Sequence, residues 1–181
     1  FPYTAGLLFH DDLYRRRGRG SFDEAFVRPP SSTRHILHPE TYVSNVEPVA
    51  MRFPMALTPA RRKLLAEGTL GEMDLQVLLN QYTPELVKPL ASQWRGGEFR
   101  LEEEKGSGNG RPVLTFGFTM ESPEAARALL AAYRKVLPLK WKQFEVTEST
   151  ADRLKGRGDF GPFETWIDGP VMVSIEGGQL K

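Results

Sequence analysis

The chain contains no cysteine, so disulfides, thiolate zinc sites and a cysteine nucleophile are excluded, while its redox compartment stays open. Histidine is scarce, at three residues in 181. No apolar run approaches the roughly 18 residues that a membrane-spanning helix needs. Neither sign of charge is in excess: 24 basic residues face 23 acidic ones and leave +1, which gives no global field to recruit nucleic acid or an acidic membrane. The start, Phe1-Pro2-Tyr3, has neither an initiator Met nor a signal peptide, and is the start expected of a processed or truncated piece of something longer. No serine sits in G-x-S-x-G, and no H-E-x-x-H occurs.

What is present suits a folded domain. Hydrophobic residues make up 40% and aromatics 10%, and the length allows one large domain or two small ones with a real core. Residues 1–95 read as mainly helical. Ala5, Phe9 and Leu13 recur at helical spacing, and Arg15-Arg16-Arg17 before Gly18 suits a helix C-terminus. Ser21-Phe22-Asp23-Glu24 and Thr69-Leu70-Gly71-Glu72 read as capping boxes, with Met73, Val77 and Leu78 as the stripe behind the second. Pro29-Pro30 stops the first of these helices. Thr58-Pro59 starts a helix over Ala60 to Ala66, and Thr83-Pro84-Glu85 starts another that runs toward Trp94.

From Gly96 the pattern changes to strands. Phe99 and Leu101 alternate with charges, Gly106 to Gly110 forms a loop, and Val113 to Phe118 returns as a second strand. Ser122-Pro123-Glu124 opens a helix with Ala125, Leu129, Ala132, Tyr133 and Val136 on its apolar side. Trp141 to Val146 reads as a strand, and Phe163 to Ile167 and Val171 to Ile175 flank the turn Asp168-Gly169-Pro170. The fold class expected is α+β: a helical N-terminal region (1–95), then a small antiparallel sheet with one packed helix (96–181).

Chemistry-bearing residues are few. In Thr33 to Tyr42, His35 and His38 with Glu40 have the makings of a zinc ligand set. Against this, Pro39 pushes His38 out of the α region, so one regular helix cannot present both imidazoles. The residues read better as a structural turn than as a metal site. Arg15-Arg16-Arg17-Gly18-Arg19 is the one concentrated basic patch, with Tyr14 and Phe22 able to stack on bases, but it reads first as a solvated helix end. The glycines at 106–110 precede a strand rather than a helix, which argues for a hairpin loop and against a phosphate cradle. Glu102-Glu103-Glu104 reads as an exposed strand end, and Trp94, Trp141 and Trp166 as core and hairpin packing.

Taken in order, Phe1 to Phe9, Pro29 to Tyr42, Gly68 to Glu72, Trp94 to Gly97 and Glu121 to Ala126 resemble a family of bacterial zinc-metallopeptidase-like proteins of gluzincin type. The resemblance covers residues 1 to about 135 in order. It implies an H-E-x-x-H helix and a further acidic ligand, both upstream of the FPY segment, and it implies export. Neither zinc motif is in this sequence, so no catalytic or cofactor-binding residue transfers to it, and zinc belongs to the absent upstream region. His38, Pro39, Glu40 and Tyr42 fit the family motif as a structural or cleft element, whereas His35 falls outside it.

The function expected is that of a non-catalytic C-terminal portion that completes the scaffold, shapes a substrate cleft or mediates association, with the chain inactive by itself. Its partner would be the upstream part of the same precursor or another protein, not nucleic acid. The alternative is a stand-alone protein- or ligand-binding module, and a third reading is a catalytically dead homologue kept as a regulator or inhibitor. A missing half predicts an exposed apolar patch on helix 3–17, whereas a self-sufficient module predicts that Leu7, Leu8, Phe9 and Leu13 are all covered.

Overall fold

The computed structural model describes residues 2–51, 53, 62–104 and 110–178. Four short helices come first: α1 (Pro2–Arg17), α2 (Gly20–Val27), α3 (Thr33–Leu37) and α4 (Pro39–Val43). Then follow β1 (Arg62–Thr69), α5 (Glu72–Tyr82), a 3-10 turn (Pro84–Leu86), α6 (Val87–Ala91) and the hairpin β2 (Trp94–Glu104) and β3 (Arg111–Met120). The long helix α7 (Pro123–Lys140) leads to the meander β4 (Glu145–Ser149), β5 (Arg153–Gly158), β6 (Gly161–Asp168) and β7 (Val171–Gly177). The fold is α+β.

All seven strands form one antiparallel sheet in the order β1-β2-β3-β7-β6-β5-β4. The chain lays down one meander to β3, crosses a face of the sheet as α7 to the far edge, and returns by a second meander. β7 then closes on β3, from Val113↔Gly177 to Thr119↔Val171. Residues 115–120 and 172–177 are buried without interruption, as strands are when both faces are covered. The outer strands β1 and β4 are largely exposed.

The main core lies between the sheet and α5, α6 and α7. α7 starts where Ser122 Oγ accepts from the Ala125 N–H (3.2 Å) and Pro123 occupies a position that needs no N–H donor. It buries Leu129, Tyr133 and Val136 with their neighbours at helical spacing. Tyr133 meets Phe116 edge-on, with ring centroids 5.7 Å apart. Above Phe116 and Phe118, Glu176 of β7 accepts from the Tyr133 hydroxyl and pairs with Lys140 at 2.6 Å. On the opposite face Met51 lies against Gly117, and Arg62 pairs with buried Glu102 at 3.6 Å.

The N-terminal helices have a smaller core of their own. Phe9 and Leu13 of α1 pack with Tyr42 of α4, and Phe9 and Tyr42 meet edge-on at 5.2 Å. The Tyr42 hydroxyl donates to the Arg28 carbonyl (2.7 Å), and the Arg28 guanidinium lies 4.0 Å over its ring. α1 ends at Gly18, whose φ of 70° is the left-handed closure expected there.

Several expectations need correction. Within the helix expected over Ala60 to Ala66, residues 62–66 are strand; pairing with β2 overrides the helical preference of Arg-Lys-Leu-Leu-Ala. Thr58, Pro59 and Ala60 lie outside the described residues, as do 106–109 of the expected loop, although the hairpin itself is paired up to Glu104↔Arg111. This β1 pairing brings a segment from before residue 95 into the same sheet as the strands after it. Ser21 is no cap: α2 starts at Gly20, leaving Ser21 buried inside the helix. The α5 cap is Gly71, whose N–H donates to Asp74 (2.7 Å), and its buried stripe is Leu75 and Leu79, with Val77 exposed. Trp141 caps α7 rather than starting a strand, so β4 begins at Glu145. Glu102 is buried, not exposed, because Arg62 on β1 meets it. β5 was not anticipated: Arg-Leu-Lys-Gly-Arg-Gly has little strand character, yet its glycines let the rings of Phe163 and Trp141 lie on the backbone.

Burial, and then the charge of Glu176, hold the Tyr133 phenol well above its ordinary 10.0. A raised pKa favours the protonated fold: this contribution is complete below the unfolded value of 10.0 and is lost as pH climbs toward the folded value. Tyr133→Phe should cost about 1–3 kcal/mol at pH 7. It should also shrink the alkaline loss of stability above about pH 10, measured by urea titration across pH beside the parent chain.

Candidate functional site

The N-terminal helices touch the sheet body through a buried carboxylate. Glu72 opens α5 with no solvent exposure, and a charge in that position needs partners. Arg34 of α3 donates to its Oε2 at 2.7 Å, His38 Nε2 lies 2.8 Å from its Oε1, and Gln76 donates to the same oxygen at 3.3 Å. Arg34 also donates to the Ser92 carbonyl at 2.9 Å. Beside them Thr33 Oγ1 accepts from the Met73 N–H at 3.1 Å, satisfying an N–H that the first turn of α5 leaves open. Gly71 and Gly96 allow the two layers to approach this closely. A Cβ at Gly71 would strike Thr33 Oγ1, and one at Gly96 would strike the Val49 carbonyl.

His35 and His38 serve different partners. His35 is buried; its Nε2 lies 2.8 Å from the Val46 carbonyl, and its Nδ1 accepts from the Ser31 N–H at 3.3 Å. α3 ends before His38, whose φ and ψ of −133° and 77° are not helical, and α4 begins afresh at Pro39. His38 turns to Glu72, while Glu40 stands 3.7 Å from its Nδ1 at the surface. Tyr42 is the centre of the small core. Among the described residues, no group of three His, Asp or Glu is placed to hold a metal ion.

Next to this contact the two layers part into a cleft of about 520 Å³. One wall is Pro30, Ser31, Ser32 and Thr33; the other is Thr69 to Gly71 with Trp94, Gly97 and Glu98; Pro48 to Ala50 closes one end. The Trp94 indole donates to the Leu70 carbonyl (3.1 Å), and the Leu70 N–H donates to Gly97 (2.8 Å). Three stretches that are far apart in sequence, Pro29 to Tyr42, Gly68 to Glu72 and Trp94 to Gly97, therefore meet here. Apolar walls with a few polar groups are the usual make-up of a ligand site.

A second surface lies on α1 and α2. Phe9 and Leu13 point inward, but Tyr3, Leu7 and Leu8 are 92%, 70% and 62% exposed, and Phe26 and Val27 on α2 are 87% and 86% exposed. Tyr14 and Phe22 lie tilted against each other at 6.0 Å, and His10 stacks on Phe22. Three arginines of the basic run are matched: Arg15 with Asp11 (2.8 Å), Arg16 with Asp12 (2.5 Å) and Arg17 with Glu24 (2.5 Å). Hydrogen bonds from Arg17 and Arg28 hold the Glu24 carboxyl below the usual carboxylate range.

Arg34, Glu72, Asp74 and Glu98 escaped the reading of the sequence as site residues. Glu72 stood out there only as part of a helix-capping signal and of the Gly68 to Glu72 stretch, and of its three partners Arg34 and Gln76 carry no local pattern. Glu72→Ala leaves Arg34 facing an empty buried site and should cost about 3–5 kcal/mol. The loss should fall on the joint between layers. Hydrogen exchange should quicken in residues 33–43 and at the start of α5, while β3 and β7 keep their protection. Comparison with protein-family models, with curated proteins and with solved structures gave no match.

Proposed function

We propose that this chain is a non-catalytic C-terminal portion of a zinc-metallopeptidase-like bacterial protein, and that it supplies scaffold and a docking face rather than chemistry. The observation that carries this reading is the apolar surface of α1 and α2. Leu7, Leu8, Phe26 and Val27 all stand well out into solvent. Exposed groups of large apolar side chains mark places where another polypeptide packs. A self-sufficient module would have covered all four of Leu7, Leu8, Phe9 and Leu13; here only the last two are covered. The order of the sequence motifs supports the family on this reading, and the exposed face supports the role. Zinc and the groups that activate water belong, on this reading, to the unit that docks.

The alternative, a stand-alone binding module, draws its support from the cleft between Ser32 and Trp94. The two readings separate in native material. On the docking reading, intact-mass analysis finds a polypeptide with H-E-x-x-H joined to or co-purifying with this chain. Leu7→Asp with Leu8→Asp then breaks that association while leaving the melting temperature of the chain within about 2 °C, because both positions are exposed. A native chain that purifies alone and monomeric, or a metal-free chain that cleaves casein, would overturn the docking reading.

A further inference from the structure

We infer that the cleft takes an extended peptide which runs along the outer edge of β1 and places a lysine or arginine against Glu98. The charge of the cleft points to a cation. Among its described lining residues the only ionisable side chains are Asp74 and Glu98, and no basic residue joins them. Asp74 is engaged by the Gly71 N–H at 2.7 Å. Glu98 has no ion pair or side-chain hydrogen bond among the described residues, although Arg95 and Arg100 lie close in sequence: Arg95 pairs with Glu121 at 2.8 Å and Arg100 with Glu67 at 3.1 Å. A carboxylate left over beside an aliphatic wall suits a long side chain that ends in a charge, whose methylenes lie on Val49.

The surroundings select an extended chain over a compact amine. β1 pairs with β2 on one side only, so among the described strands its other side offers unpaired backbone groups. Thr69, its last residue, lines the cleft, so a strand added at this edge leads directly into it. Leu64 and Leu65 are 44% and 49% exposed along the same strand and give alternate side chains of the guest an apolar surface.

This inference does not rest on the docking role of α1 and α2, and its failure would leave that role standing. The test uses the full chain and three blocked peptides, acetyl-Thr-Val-Leu-Lys-Val-Thr-amide and its norleucine and glutamate counterparts at the lysine position, titrated by calorimetry. The lysine peptide should bind about fivefold tighter than the norleucine one, as a partly exposed ion pair allows, with the glutamate peptide weakest. Glu98→Gln should erase the difference between lysine and norleucine while keeping the affinity for norleucine; a thermal melt checks that this variant is folded. N-methylation of alternate amides of the lysine peptide should abolish binding, because it removes the donors for edge pairing. Equal affinity for lysine and glutamate, unchanged binding of the N-methylated peptide, or no binding of any peptide to the folded parent chain would each overturn the proposal.

Discussion

A carboxylate shut off from water must find its counter-charge inside the fold, and Glu72 finds it across a layer boundary. Arg34 and His38 come from α3 and the turn after it, whereas Glu72 begins the helix that lies on the sheet. Such an arrangement adds little net stability relative to an apolar contact of the same shape, but it tolerates few alternative positions. It fixes where the N-terminal helices sit. Thr33 against the first turn of α5, and Val49 against the strand that starts at Trp94, follow from that placement.

The cleft is a by-product of the same joint. Two cores that do not merge, the main one around Leu129 and Tyr133 and the smaller around Phe9 and Tyr42, are held together at polar points rather than by a continuous apolar seam. Where the points end, the layers separate. The glycines at 71 and 96 let the Thr33 side chain and the Val49 backbone come close at the margin, so main chain and short hydroxyl side chains bound the cavity.

How much of this was legible depended on whether the cause was local. The start of α7 could be read because Ser122-Pro123-Glu124 acts on its own first turn, and the β6–β7 hairpin because Gly169 takes the left-handed φ of 57° that its turn requires. The end of α3 before Pro39 was equally readable. β1 and β5 were not, since one has helix-forming residues and the other glycines, and both owe their conformation to neighbours distant in the chain. The candidate site was the least legible part. The motif around His38 drew notice, but the residue that gives it meaning, Glu72, lies on another element, and no local pattern sets Glu98 apart from other strand glutamates.

The central place of β7 bears on how the chain is made. The last of the described strands is the one that joins both meanders, so neither Phe116 nor Phe163 has its full surroundings until residues 171–177 have been made. A ribosome-bound chain lacking residues 171–177 carries two separate strand groups with bare flanks and an α7 that has only part of its bed. Such a nascent species would depend on chaperones for longer than a fold whose middle is written early.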